Sequence, residues 1–562
     1  MIPKQQKLKV LFCSESTKVS SGFGIYNKNL IQRLYDTSKY EIAEFAAYGL
    51  IGDKEKFNIP WKYYPNAVKP DDSRIELYNS APDNAFGKWR FDRVIADFKP
   101  HVVIDLRDYW MSSFEKSSPF RKYFHWILMP TIDSSPQKDE WLDTYVDADA
   151  IFTYSDWGAD VLKEQTNNHI NYIATTSPSA NDKSFIAPAT IKNKEDIKKS
   201  LVIDPEYFII GTVMRNQKRK LFPELIKSFE KLIEKLKAEN SYRADKTVMY
   251  FHTSYPDAGW DMAQLISDSK VSDKIYFTYC CKHCSCVFAS NFTGFSQNCY
   301  SCGNHSAIIP NVSNSLDDSA LGKVMSAFDT YIQYAICEGF GMPQIEAAFC
   351  GVPVVTVNYS AMEDVINKLE ATPIKIGSKF RELETGANRV YPDIDDTVEK
   401  LYKIVHIPSN VSINIGKDQL EKARKHYSWD DVAKVWSEYL DTINVQDCET
   451  KWDNCNSYRS VQYIDQSALS KDVSVYENIF KYQNLLKTIN LNISDHMMLK
   501  MISDAERGYT FEGPNIKNYN IENLLNFINK RIDLFNKNHI AIQNPESLHA
   551  EDYITYANQE LQ

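Results

Sequence analysis

Nine short apolar runs recur over the first 357 residues, separated by polar stretches of helical spacing. Lys9–Cys13, Val102–Leu106, Tyr123–Met129 and Ala150–Tyr154 form a first series. Between them, Tyr26–Tyr35 and Trp157–Gln165 carry apolar residues at helical intervals. After a polar, Lys-rich connection around 186–204, a second series follows: Phe208–Met214, Thr247–Phe251, Ile275–Thr278, Thr330–Tyr334 and Pro353–Val357. Strands that alternate with helices predict a parallel, doubly wound sheet. Two such series predict two α/β halves, with ligands held at the carboxyl ends of the strands.

Length agrees, because 562 residues correspond to about three to four domains. The net charge of −10 argues against a nucleic-acid coat or a polybasic membrane binder, and leaves room for a local basic cleft. No stretch approaches 18 consecutive apolar residues, so no membrane span is expected. The opening Met-Ile-Pro-Lys-Gln-Gln lacks a secretory pattern, so a cytoplasmic location with reduced cysteines is expected (host cytoplasm for a viral protein). From about Cys448 the chain turns rich in Asn, Tyr, Lys and Ile, and 521–535 has helical spacing, which predicts a mostly helical extension over 448–562.

Six of the 11 cysteines fall between Cys280 and Cys302. Cys281-Lys-His-Cys284, fourteen residues, then Cys299-Tyr-Ser-Cys302 gives two C-x-x-C pairs that can close on one zinc ion. Reduced cysteines packed as small hydrophobes are the alternative. Cys280, Cys286, His283 and His305 are spare donors that could replace a ligand. A four-thiolate site has no open position, so the expected role is structural: a zinc ribbon over 279–309.

The most informative string is Cys337-Glu-Gly-Phe-Gly-Met-Pro-Gln-Ile-Glu346. A strand ends near Tyr334, a glycine turn follows, and a helix is expected to start near Pro343 with Glu346 in its first turn. Gly339 and Gly341 let a ligand approach the backbone, and the helix start suits a phosphate. Glu338 and Glu346 can each accept hydroxyl hydrogen bonds.

This string resembles the E-x7-E signature of the family 4 retaining glycosyltransferases of GT-B fold. Other segments are similar in the same order. Ser21-Gly-Phe-Gly24 looks like the family's N-terminal glycine loop, and Arg215 with Lys220 like its R-x4-K pair. Ala148–Ser155 and Tyr427–Asp430 also look typical. The resemblance covers roughly residues 8–445. It implies an α/β GT-B fold of two Rossmann-like domains facing a cleft. These are an N-terminal acceptor domain over 1–190 and a C-terminal nucleotide-sugar domain over 191–426. A helix over 427–447 crosses back. The ribbon and the extension depart from the family pattern.

For the site, the resemblance implies a nucleoside-diphosphate sugar as donor, with Arg215 and Lys220 on its diphosphate. Gly22 and Gly24 would approach the phosphates. Glu346 would hold the ribose, Glu338 the sugar hydroxyls, and the backbone of Gly339, Phe340 and Gly341 would lie beside the donor. No catalytic metal is expected. Where many members carry a histidine after an N-domain strand, this chain has Asp133, a second catalytic candidate beside Glu338. Arg107–Trp110 could line the acceptor cleft, with core packing as the alternative. A hexosyl- or pentosyltransferase is implied. Its acceptor is a glycan or another large molecule, or a hydroxylated base in DNA, since the Lys-, Asn- and Ile-rich composition fits a phage source. An inactive scaffold that binds a macromolecule through ribbon or tail is the competing class.

Overall fold

The computed structural model describes residues 6–118, 120–311 and 314–455. The predicted extension over 448–562 therefore lies outside the described residues, except for the end of a helix, Val445–Cys455. The described residues form two compact units, one up to Leu128 together with the chain from Leu440 to Cys455, the other Met129–Tyr439.

In the first unit, five parallel strands run β1 (Leu8–Glu15), β2 (Tyr40–Ala47), β3 (Lys62–Pro65), β4 (Val102–Asp105) and β5 (His125–Leu128). Their spatial order is β3-β2-β1-β4-β5, and Val10 of β1 pairs with both Ile42 and Val102. The central strand is buried almost throughout, so it reads as a continuous apolar run rather than an alternation. Arg107, one of the acceptor-cleft candidates, is instead core. It is fully buried, grips Asp105 and Glu115, and donates to the Phe86 carbonyl. The helix Val445–Cys455 docks in this unit, with Trp452 Nε1 donating to the Pro100 carbonyl at 2.9 Å and its ring 5.2 Å from Tyr123.

The second unit opens with a parallel pair, β6 (Ala150–Thr153) and β7 (Tyr172–Thr175). Its main sheet contains β8 (Phe208–Val213), β9 (Thr247–His252), β10 (Ile275–Cys281), β11 (Val287–Asn291), β12 (Ser296–Gln297), β13 (Ala307–Ile308), β14 (Thr330–Gln333), β15 (Val354–Val357) and β16 (Thr372–Ile374). The order is β12-β13-β10-β9-β8-β14-β15-β16, with β11 also on β10. From β10 through β16 the pairing is parallel, while β11 and β13 are antiparallel to β10. The helix Phe222–Ala238 buries Phe222, Leu225, Phe229, Leu232 and Leu236, a stripe of three- and four-residue steps. A separate hairpin joins β17 (Ile376–Arg381) and β18 (Asn388–Pro392).

One expectation needs correction. The Lys-rich connection around 186–204 contains a helix, Ile191–Ser200, capped by Thr190. Its lysines hid it from the apolar pattern, because Lys194 and Lys198 serve as its inward contacts, both on Asp329. The ribbon also grows directly out of a sheet strand. β10 pairs with β9 through Phe277, then continues to Cys281. Phe288, Cys299, Ala307 and Ile309 accordingly share one apolar cluster with Phe208 and Phe229.

Candidate functional site

The carboxyl ends of β8 and β14 are tied together beyond the sheet. Ile336 N–H donates to the Arg219 carbonyl at 3.0 Å, and Leu221 N–H to the Tyr334 carbonyl at 3.2 Å. This lays the Arg215–Lys220 run beside the Glu338 turn. The buried Lys220 Nζ contacts Glu338 Oε1, while Arg219 Nη1 donates to Oε2 at 3.0 Å and Gln333 Nε2 to Oε1 at 2.6 Å. Burial and the neighbouring Arg219 charge pull the Lys220 ammonium well below its usual range. Ser360 Oγ fixes Glu338's backbone, accepting from its N–H at 3.0 Å and donating to its carbonyl at 3.1 Å. Arg219 was missed in the sequence. Its only signal was adjacency to Lys220 within a basic run.

Arg215 lies in a different set of contacts. Its half-exposed guanidinium makes a bidentate pair with Asp257, Nε to Oδ2 at 2.8 Å and Nη2 to Oδ1 at 3.0 Å. Such fork geometry suits a carboxylate or a phosphate equally. The Asn216 side-chain amide donates Nδ2 to the Trp260 carbonyl and accepts the Trp260 N–H on Oδ1, both at 2.8 Å, and Trp260 Nε1 donates to the Lys220 carbonyl at 2.8 Å. The 253–260 loop after β9 and the 215–220 run are therefore tied together by hydrogen bonds.

Gly339 and Gly341 are required by geometry. A Cβ at Gly339 would overlap the Thr131 methyl. Gly341 has φ +83° and caps the helix Met342–Phe349, whose Pro343 sits in the first turn. Between them Phe340 is buried, its ring 5.7 Å from Tyr427. The helix starts one residue earlier than expected, which moves Glu346 to its second turn. Glu346 is 7% exposed, and among the described residues its carboxylate has no hydrogen-bond partner. Burial, with Asp318 adding to it, pushes the carboxyl up to about 8. A buried acid with unspent hydrogen-bonding capacity is a recognisable ligand contact.

Asp133 is already engaged by the protein. It accepts from Arg389 Nη1 at 2.8 Å, Ser134 Oγ at 2.8 Å and the Cys337 thiol at 3.3 Å. Burial alone would raise its pKa, but Arg389 outweighs that and holds it below the usual carboxylate range. Arg389 comes from β18 and also donates to Glu382 and the Cys337 sulfur. The hairpin is pinned by Asn388 N–H to the Ser135 carbonyl at 2.9 Å and Val390 N–H to the Ile336 carbonyl at 3.2 Å. Asp133, Cys337, Glu338 and Lys220 thus form one continuous set of contacts.

The four sulfurs of Cys281, Cys284, Cys299 and Cys302 lie within 4.8 Å of one another. Cys281 and Cys302 are 3.7 Å apart, and Cys284 and Cys299 3.6 Å, too far for disulfides. A tetrahedron with Zn–S bonds of about 2.3 Å has edges of about 3.8 Å, so the cluster fits a zinc site. Backbone N–H groups of His283 and Cys284 point at Cys281 Sγ, each at 3.4 Å, as does Ser301 N–H at Cys299 Sγ. Of the spare donors, Cys286 stays beside the cluster, its carbonyl accepting from Cys281 N–H at 2.9 Å, while two others are turned away. Cys280 neighbours Cys281 on a strand and so faces the other way. His305 is engaged with Asn298 and Ser296.

Gly22 and Gly24 belong to the first unit, in the first turn of the helix Gly22–Asp36. There Gly24 N–H donates to the capping Ser21 Oγ at 3.0 Å.

Residues 310–403 match the family described as glycosyl transferases group 1. No curated protein matches the chain in sequence. Among solved structures, sucrose-phosphate synthase from Thermosynechococcus elongatus is similar at TM-score 0.54 and 13% identity, covering 78% of this chain and 99% of its own. A glycosyltransferase from Rickettsia africae gives 0.51 and 14%, covering 77% and 98%. HepE from Anabaena, solved with UDP and glucose, gives 0.52 and 12%, covering 78% and 100%. The architecture is thus an α/β GT-B fold carrying an added cysteine cluster. Among the described residues no helix is long and apolar enough to cross a membrane.

Proposed function

We propose that the chain is a retaining glycosyltransferase that moves a sugar from a nucleoside-diphosphate sugar to a hydroxyl of a large acceptor. One observation carries the reading. Glu346 is buried without a partner, among the described residues, on the helix that follows the Gly339–Gly341 turn, and Glu338 at the start of that turn holds Lys220 and Arg219. A ribose diol can supply the hydrogen bonds that Glu346 lacks. The diphosphate then falls to Arg215, Arg219 and Lys220. A leaving group that gains negative charge needs fixed cations, and these three are already oriented by carboxylates that a phosphate can replace. Release of Lys220 from Glu338 leaves that carboxylate to accept sugar hydroxyls. Gly22 and Gly24 would add backbone contacts to the phosphates.

The division into an acceptor half, 1–190, and a donor half, 191–426, belongs to this reading. Asp133, kept anionic by Arg389, is proposed to stabilise positive charge that develops on the sugar. No catalytic metal is required. The zinc held by the four cysteines would tie the ribbon together. That HepE was solved with UDP and glucose makes UDP-glucose the first donor to test.

The acceptor is tested by incubating the full chain with donor sugars and candidate acceptors, both glycans and DNA containing hydroxylated bases, read by mass spectrometry. A mass increase of one sugar on one acceptor class is expected. Donor turnover with no acquired mass on any acceptor refutes transfer. An inactive scaffold would bind no donor at all.

A further inference from the structure

The ribbon and the diphosphate-binding run are physically joined. After β11 the chain crosses the sheet as Phe292-Thr-Gly294, fixed by Tyr279, whose hydroxyl donates to the Gly294 carbonyl at 2.9 Å and accepts from Thr293 N–H at 3.1 Å. Phe292 packs on Phe277 of β10 with centroids 5.2 Å apart. Its other neighbour is Tyr255, 5.4 Å away and edge-on at 78°. Tyr255 lies two residues before Asp257, whose carboxylate holds Arg215. The Ser254 hydroxyl donates to Asp257 and accepts from Asn216 N–H at 3.1 Å. An unbroken series of contacts therefore runs from the cysteine-held ribbon through Phe292 and Tyr255 to Asp257 and Arg215.

The sheet explains why these contacts matter. Tyr255 is only partly buried against the core, and the 253–260 loop is not itself a strand or helix. Its order rests on the 215–220 run on one side and on Phe292 on the other. Loss of the ribbon's support would free the loop to move and spread the Arg215 guanidinium over more positions, so a diphosphate would have to order it on binding.

We infer that the metal-held ribbon acts as a positioning element for the diphosphate site, with Phe292 and Tyr255 as the positioning residues. This rests on the transferase reading, so the experiment separates the two. Binding of UDP, GDP and ADP to the full chain is measured by calorimetry for the wild type, Phe292→Ala, Tyr255→Ala, the double variant and Asp257→Asn, with zinc content and thermal melt recorded for each. The favoured nucleotide should bind about 3- to 10-fold more weakly to each single ring variant, and the double variant should lose no more than one of them. In the Asp257→Asn background, Phe292→Ala should change nothing further, a result that a merely structural role does not give. Wild-type protein stripped of zinc by a chelator should show the same weakening and recover on addition of zinc. Unchanged affinity in Phe292→Ala and in the stripped, folded protein overturns the inference while leaving the transferase reading intact. Failure of the wild type to bind any of the three nucleotides overturns both.

Discussion

Replacing Lys220 by Met tests whether the Lys220–Glu338 pair is a functional charge pair or a stabilising one. Both side chains are buried, at 8% and 5% exposure. Removing one partner of a buried pair typically costs 3–5 kcal/mol, because the other charge is left uncompensated. Here Glu338 would keep Arg219 at 3.0 Å and Gln333 at 2.6 Å, so a loss of about 2–3 kcal/mol is expected. Glu338→Gln strands Lys220 instead, and since the ammonium can shed its proton, about 2 kcal/mol is expected. The double variant, Lys220→Met with Glu338→Gln, buries neither charge and should lose less than about 1 kcal/mol. Urea denaturation at pH 7 should therefore give a coupling of about 3–5 kcal/mol between the two sites. The double variant should nonetheless bind UDP at least about 10-fold more weakly than wild type, since a charged hydrogen bond to phosphate is gone. Additive losses within about 0.5 kcal/mol, or wild-type affinity in the double variant, would refute the reasoning.

Other outcomes follow from the same geometry. Gly339→Ala should cost about 1–3 kcal/mol in thermal unfolding, and Thr131→Ala should restore most of it by removing the overlapped methyl; an unchanged melt would contradict the close approach. Glu346 has its pKa raised to about 8, so the stability of its protonated form is full below about pH 4.5 and lost as pH rises through 8. Glu346→Gln should thus be more stable than wild type by roughly 1–3 kcal/mol at pH 9 and equal to it at pH 4, whereas parallel profiles would rule out a buried, unpartnered acid. The purified chain should carry one zinc, lost in Cys284→Ser and kept in Cys280→Ser and Cys286→Ser; loss in Cys280→Ser would reassign the ligands.

Local patterns carried much of this structure. All nine apolar runs became strands, because a buried parallel strand is apolar along its length. The C-x-x-C spacing picked out, among six cysteines, the four whose sulfurs lie together. The glycine turn placed Glu338 and Glu346, although one residue of helix offset carried Glu346 just past the first turn. The contacts that complete the site were not visible in this way. Asp257 meets Arg215 across 42 positions, Arg219 meets Glu338 across 119, and Arg389 meets Asp133 across 256. Such pairs leave no periodic trace, since only the fold brings them together. The helix Ile191–Ser200 was missed for a related reason, as its buried contacts are lysine amines on Asp329 rather than apolar side chains.

The most direct test of nucleotide-sugar chemistry is nucleoside-diphosphate release from UDP-, GDP- and ADP-sugars by the full chain without acceptor. One donor should bind and be slowly hydrolysed by wild type, and both binding and release should collapse in Glu346→Ala and Lys220→Met. No binding or release with any donor, or release from Glu346→Ala equal to wild type, would contradict the proposed donor site.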